Sequence, residues 1–219
     1  MYRLNAETYH KELNGAVSVA HLAGSIMLRY YDLDYEISQK AGDTPAASIV
    51  TEVDVTIDHL VRDYFTRVWP DDQLLTEETD PEARWYQGRR IWTVDPIDGT
   101  MGYSKRTGSF GVSIALIEEG RPVLGVLYAP AKNWLAWAVT GEGAYLNGVP
   151  IDLSERRAID TIVVSSNSID LPSYHEALRV LNPDGRLGVI ATESVVVKAL
   201  LLLQGNGEIY PILPKSQTG

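Results

Sequence analysis

A strict alternation of large apolar residues in the middle of the chain restricts the fold most. A large apolar side chain stands at every second position from Phe110 to Leu116, which is typical of a strand with one buried face. A Glu-Gly turn at 119–120 leads to a second apolar segment, Val123–Tyr128, and Ala129-Pro130 leads to a third, Trp134–Val139. Short apolar segments separated by turn residues predict an antiparallel β-meander.

The segments on either side of the meander are helical or alternate between strand and helix. Apolar residues at helical spacing predict a first helix from about Ala6 to Tyr31 and a second from Val55 to Val68, with Asp54 as its N-cap. Leu74-Leu75 and Ile91–Val94 are short strand-like runs. After the meander, the expected strands and helices are Thr161–Ser165, about Ser173–Leu181, Leu187–Ile190 and about Ser194–Gln204. This order predicts an α/β fold of layered helices and sheets, not a simple Rossmann sheet.

Length, composition and charge bound the class of protein. A chain of 219 residues favours one domain, with an α+β part at 1–150 and an α/β part at 151–219. The absence of cysteine excludes disulfides and thiolate metal sites and fits a reducing cytoplasm. A net charge of −10 disfavours nucleic-acid binding, and the apolar runs are too short to span a membrane. The four histidines lack the spacing of zinc ligands.

Two aspartates follow an apolar strand in the segment Trp92–Thr100, which carries the strongest chemical signal. The strand delivers Asp95 at its end, and Pro96 holds Asp95 in an extended conformation. Asp98 follows three residues later, so two carboxylates and the Ile97 carbonyl can converge on one small volume. Such a cluster of hard oxygens is repulsive by itself, and Mg²⁺ relieves the repulsion.

The Gly99-Thr100 pair directly after these aspartates would begin a helix whose first N–H groups could bind a phosphate. Judged by residue types alone, an aspartate-rich turn with Asx hydrogen bonds is an equal alternative, because Asp, Pro and Gly are ordinary turn residues. Two other acidic positions lie upstream. Glu77-Glu78 alone is typical of a solvated loop, and Asp54 alone is typical of a helix cap.

Three motifs in order give the sequence a resemblance to a known family. Thr51–Asp54, Leu75–Glu78 and Asp95–Thr100 occur in the order and approximate spacing of the three N-terminal motifs of the inositol monophosphatase superfamily. The stretches Gly108–Tyr128 and Gly141–Gly148 resemble that family too. The resemblance implies the alternating helix and sheet layers of the inositol monophosphatase and fructose-1,6-bisphosphatase type. It also implies a hydrolase that removes phosphate from a small phosphorylated substrate.

The resemblance assigns roles to individual residues. It implies that two magnesium ions are bound by Glu77, Asp95, the Ile97 carbonyl and Asp98. Asp54 would lie close by, tied to a third, looser Mg²⁺ or to Thr100. Glu77 and Thr100 would orient the attacking water, and the N–H groups of Gly99 and Thr100 would hold the phosphate. No nucleophilic serine is needed, and the sequence has no elbow motif around one.

Substrate choice depends on residues outside these motifs. Val123–Pro130, and Lys198 followed by Tyr210-Pro211, resemble the 3′(2′),5′-bisphosphate nucleotidases, so 3′-phosphoadenosine 5′-phosphate is the best candidate substrate. Lys198 would then face the second phosphate, and Thr192 and Ser194 would line the same pocket. A solvated helix lysine is an equal alternative for Lys198. Inositol monophosphatase is a close runner-up, and a histidinol-phosphate or sugar-phosphate substrate stays open.

One departure from the family concerns the second metal. Family members continue past the segment matching Tyr210–Gly219 into a Trp-Asp motif whose aspartate binds that metal, and this sequence has no such pair. We therefore expect the C-terminal α/β part to be incomplete and catalysis to be impaired. The alternative from another class of function is a remnant that binds metal or phosphate without turnover. Homodimers are common in the family, which makes a homodimer one expected assembly.

Overall fold

The computed structural model describes residues 9–31, 33, 37–39, 49–77, 90–153 and 159–212. The helices in these ranges are α1 His10–Tyr30, α2 Glu52–Val68, α3 Thr100–Ser104, α4 Pro172–Leu181 and α5 Val195–Gln204. The strands are β1 Ile37–Gln39, β2 Ile49–Thr51, β3 Gln73–Thr76, β4 Arg90–Asp98, β5 Gly111–Glu118, β6 Arg121–Ala129, β7 Trp134–Val139, β8 Gly143–Leu146, β9 Val149–Pro150, β10 Thr161–Ser165 and β11 Gly188–Thr192. No described helix is both long enough and apolar enough to cross a lipid bilayer.

A seven-stranded sheet forms the centre of the described structure. Its strand order is β3-β4-β5-β6-β7-β8-β9, and every neighbouring pair is antiparallel except β3 and β4, which are parallel. The predicted meander is therefore confirmed. Beyond it, β10 and β11 pair in parallel across α4, and Ile209 forms a parallel bridge to Ile162. The predicted alternation of strand and helix is confirmed there as well.

The helices cover both faces of the large sheet. The apolar stripes of α1 and α2 pack on one face, against β4, β5 and β6. Val112, Ile114 and Leu116 point into this core and are almost completely buried, as their alternation predicts. On the other side, Val196 and Leu200 of α5 pack with Ala129 and other buried residues of a second core. Helix α5 therefore bridges the large sheet and β10.

Two of the predicted element boundaries that are wrong lie at the candidate site. Helix α2 begins at Glu52, so Asp54 lies inside its first turn and is not its N-cap. Strand β4 does not end at Val94 but continues to Asp98, with a register shift against β5 between Asp95 and Asp98. The proline at 96 is tolerated because a strand irregularity removes the need for a ladder hydrogen bond at that position.

A buried tyrosine connects the start of α1 to the end of β5. The Tyr9 hydroxyl donates a hydrogen bond to the Glu118 carboxylate. Burial, together with the hydrogen bond and charge of Glu118, raises the pKa of Tyr9 to about 12. Because the folded-state pKa lies above the ordinary value, the contact stabilises the fold fully below about pH 10 and is lost as the pH rises through about 12.

We therefore expect Tyr9→Phe to lower the free energy of unfolding most near neutral pH and progressively less toward alkaline pH. Denaturant unfolding of wild type and variant at about pH 8 and about pH 12 measures this difference. The exposed Tyr30 of α1 provides the control substitution Tyr30→Phe. A gap between wild type and Tyr9→Phe that does not change with pH would contradict the assignment.

Candidate metal and phosphate site

The parallel pairing of β3 and β4 brings two distant acidic residues together. Thr76, the last residue of β3, pairs with Val94 of β4. Glu77 directly follows Thr76, Asp95 directly follows Val94, and both are acidic. Parallel neighbouring strands lie about 4.8 Å apart and point the same way, so these two residues occupy adjacent positions on one edge of the sheet. Glu77 is exposed and Asp95 is half-buried.

Asp54 reaches the same region from α2. It is buried in the first turn of the helix, three residues after β2 ends at Thr51. Strand β2 contacts α3, the short helix that begins at Thr100, and α2 itself contacts β3 and β4. The chain path therefore brings Asp54 to the region where β3 ends and α3 begins.

Asp98 is held by the N-terminus of α5. Its Oδ2 accepts hydrogen bonds from the Ser194 hydroxyl and, at 2.7 Å, from the Val196 N–H. Burial raises the pKa of the Asp98 carboxyl, against the hydrogen bonds from Ser194 and Val196 and the charge of Lys198, which lower it. Ser194 is also the N-cap of α5, since its hydroxyl oxygen accepts from the Val197 N–H. Asp98 thus connects β4 to a helix about one hundred residues later in the chain.

The turn between β4 and α3 has a left-handed glycine. Gly99 has φ 83° and is the N-cap of α3, which matches the predicted helix start at Thr100. The Thr100 hydroxyl donates to the Ile97 carbonyl at 3.1 Å. Since that hydroxyl hydrogen is engaged, the Thr100 oxygen has lone pairs left to accept a hydrogen bond from a water. Two residues predicted to serve the site, Ile97 and Thr100, are therefore in direct contact.

Ser109 organises the loop before α5, and the sequence analysis missed it. Its Oγ accepts hydrogen bonds from the N–H groups of Glu193 and Ser194, both at 3.1 Å, and contacts the Thr192 hydroxyl. Thr192 and Ser194 are buried and both contact Ser109 Oγ, so the two predicted pocket residues lie together. A polar residue directly before the buried Phe110 was the signal available in the sequence. A glycine and a serine before a strand are ordinary loop residues, however, and did not stand out.

Replacing Ser109 with alanine should lower stability by about 2 kcal/mol, because two backbone N–H groups lose their acceptor in a largely buried loop. Urea unfolding measures the change. Ser18→Ala is the matched control, since the Ser18 hydroxyl makes only an exposed bond to the Asn14 carbonyl in its own helix. Equal stability of Ser109→Ala and wild type would show that the loop does not depend on this hydroxyl.

Lys198 is buried, so the alternative that it is a solvated helix lysine is wrong. Only 1% of its surface is exposed. Its Nζ donates to the Glu193 carbonyl at 2.8 Å and lies 5.2 Å from the centroid of the Tyr210 ring. Burial lowers the pKa of Lys198, and the charges of Asp98 and Glu193 oppose that shift. The contact of Lys198 with a second phosphate of the substrate stays a prediction.

A sequence profile of the inositol monophosphatase family matches residues 9–217. The chain belongs to the inositol monophosphatase family. Its relatives include the 3′(2′),5′-bisphosphate nucleotidase CysQ of Salmonella typhimurium, which is 34% identical over 91% of this chain and 79% of its own length. The fructose-1,6-bisphosphatase/inositol-1-monophosphatase of Thermotoga maritima is 31% identical over 71% of this chain and 58% of its own length.

Solved structures of the family share the architecture. The extragenic suppressor protein SuhB of Bartonella henselae superposes with a TM-score of 0.77 at 23% identity, covering 91% of this chain and 77% of its own. This likeness confirms the predicted layered α/β fold. Members of the inositol monophosphatase family are phosphatases, which hydrolyse phosphomonoesters, so the predicted enzyme class is confirmed as well.

The donor chemistry of the site fits the metal dependence that is general in the inositol monophosphatase family. Glu77, Asp95, Asp98 and the Ile97 carbonyl offer hard oxygens, the ligand type that Mg²⁺ prefers. Among the described residues, no three acidic or histidine side chains already form a group close enough to hold an ion. The hydrogen bonds of Asp98 direct its Oδ2 toward α5.

Proposed function

We propose that this chain is a Mg²⁺-dependent phosphomonoesterase that acts on 3′-phosphoadenosine 5′-phosphate. The observation that supports the metal assignment is the parallel register of β3 and β4, in which Thr76 pairs with Val94, so that the next residues, Glu77 and Asp95, follow side by side. Like charges at such positions repel, and a divalent cation removes the repulsion. The substrate assignment is supported by the likeness to CysQ, which extends over 91% of the chain.

In the proposed site, Glu77, Asp95, Asp98 and the Ile97 carbonyl would hold the metal ions. Bound Mg²⁺ supplies charge neutralisation at the phosphate and activation of water near neutral pH. Glu77 and Thr100 orient the attacking water, with the Thr100 hydroxyl free to accept because it donates to Ile97. The N–H groups of Gly99 and Thr100 bind phosphate oxygens, and Asp54 supports Thr100 from the first turn of α2.

The reaction is an in-line displacement at phosphorus without a covalent enzyme intermediate. The water oxygen forms the new P–O bond, the ester P–O bond breaks, and the leaving oxygen takes a proton to become an alcohol. In this proposal Lys198, near Asp98 and the loop of Thr192 and Ser194, adds positive charge on the side of the substrate's second phosphate.

Phosphate release with Mg²⁺ tests the proposal. The substrates are 3′-phosphoadenosine 5′-phosphate, adenosine 5′-monophosphate, inositol 1-phosphate, fructose 1,6-bisphosphate and histidinol phosphate. We expect fastest release from 3′-phosphoadenosine 5′-phosphate, little from adenosine 5′-monophosphate, and none with excess EDTA. Preference for inositol 1-phosphate would overturn the substrate assignment alone. Release that persists in EDTA would overturn the metal assignment, and Mg²⁺ binding without any turnover would favour a binding remnant.

A further inference from the structure

A row of polar residues on α2 leads from the candidate site to the end of β3. Asp54, Asp58 and Arg62 follow one another at four-residue spacing, so they lie on one face of the helix. Arg62 donates through Nε to Asp58 Oδ2 at 3.1 Å and through its terminal nitrogen to the Thr76 hydroxyl at 2.6 Å. The guanidinium therefore links α2 to the last residue of β3.

This link is buried at both ends. The side chain of Asp58 and the whole of Thr76 are each about 1% exposed, while Arg62 is 30% exposed. The second carboxylate oxygen of Asp58, Oδ1, is buried, and none of the described residues forms a hydrogen bond with it. Desolvation of a buried carboxylate offsets much of its attraction to a cation, so stability alone does not explain the pair of Asp58 with Arg62.

We propose that Arg62 and Thr76 are positioning residues that fix the end of β3 so that Glu77 stands beside Asp95. The inference rests on the proposed function, because it concerns the metal ligand Glu77. Glu77 is exposed and directly follows Thr76, so the position of Thr76 sets where the Glu77 backbone leaves β3. The same face of α2 carries Asp54 one turn before Asp58. One guanidinium thereby sets the spacing between the helix that carries Asp54 and the strand end that carries Glu77.

Replacing Thr76 with valine tests this role with little change of shape. Valine fills the same volume in the strand and leaves the Arg62–Asp58 pair in place, but it offers no acceptor to Arg62. Residues that orient metal ligands typically change metal affinity by about 10- to 100-fold when removed. We expect Thr76→Val to weaken Mg²⁺ binding about 10-fold, with kcat at saturating Mg²⁺ close to wild type. Thr76→Ser, which keeps the hydroxyl, should retain wild-type affinity.

Calorimetric titration of Mg²⁺ into the metal-free full chain measures the affinity without requiring turnover. The concentration of Mg²⁺ at half-maximal phosphate release is the second readout. Arg62→Met should weaken Mg²⁺ binding as Thr76→Val does. Its matched control is Arg67→Met, because Arg67 forms the same four-residue pair with Asp63 on an exposed face of α2. Circular dichroism before each titration shows that the variant is folded.

The two proposals fail in different ways. Wild-type protein that binds Mg²⁺ but releases phosphate from no ester overturns the proposed function, while the titrations still decide the positioning role. Folded Thr76→Val with wild-type Mg²⁺ affinity overturns the positioning role, even where the enzyme is fully active. An equal loss of affinity in Arg67→Met would overturn it too, because the effect would then come from the helix as a whole.

Discussion

Replacing Asp95 with asparagine should reduce Mg²⁺-dependent phosphate release by more than about 100-fold, the largest effect we expect of any single substitution. Residues that only support metal ligands already change affinity or activity by about 10- to 100-fold, so loss of a ligand should exceed that range. Asparagine keeps the size of the side chain and removes its charge. Phosphate release at saturating substrate, over a range of Mg²⁺ concentrations, is the measurement.

The control is Asp184→Asn, since Asp184 is exposed and forms a salt bridge with the exposed Arg186. It should match wild type, as surface ion pairs contribute little. Thermal unfolding in EDTA separates a lost metal ligand from a lost fold. Wild-type phosphate release from a folded Asp95→Asn protein would show that Asp95 is not a metal ligand.

Replacing Gly99 with alanine should destabilise the protein by about 2–5 kcal/mol and lower phosphate release. A Cβ at this position would lie 2.6 Å from the Ser109 carbonyl oxygen and 2.7 Å from the Ser194 Cβ. The φ of 83° adds strain for any residue with a side chain. The substitution therefore forces apart the turn after Asp98 and the loop before α5. Denaturant unfolding and phosphate release together measure the two effects.

Gly120→Ala isolates the backbone strain from the crowding. Gly120 has φ 76° in the turn between β5 and β6, and an added Cβ there would meet no atom within 4 Å. We expect a loss of about 1–2 kcal/mol and unchanged phosphate release. Equal losses in the two variants would show that Gly99 is needed only for its conformation and not for the close approach of Ser194.

The elements that could be predicted are those set by local pattern. The strands β7 and β10 match the predicted Trp134–Val139 and Thr161–Ser165 residue for residue, because each is a short apolar run between turn residues. The start of α2 was placed three residues late, since Asp54 is an ordinary capping residue. In the structure α2 follows directly after β2, which the sequence analysis did not predict. A strand of three residues carries too little pattern to be recognised.

For the candidate site, the residues could be predicted but their proximity could not. The resemblance supplied its residues, and the register of β3 and β4 supplies their proximity. The contacts of Ser109 join residues far apart in the chain, and the burial of Lys198 and the bridge from Arg62 to Thr76 depend on how separate elements pack. Contacts of that kind are fixed by tertiary packing, and neither propensity nor periodicity carries information on them.

The hydrogen bonds from α5 to Asp98 make the candidate site and this helix thermodynamically coupled. A cation that binds the Asp98 carboxylate competes with the Val196 amide and the Ser194 hydroxyl for the same group. Coupling between two equilibria is reciprocal, so the factor by which a cation at Asp98 weakens the docking of α5 equals the factor by which docking of α5 weakens binding of that cation. Hydrogen exchange of the Val196 amide would then depend on whether a cation is bound at the carboxylates. The exchange rate in the first turn of α5 would therefore measure site occupancy.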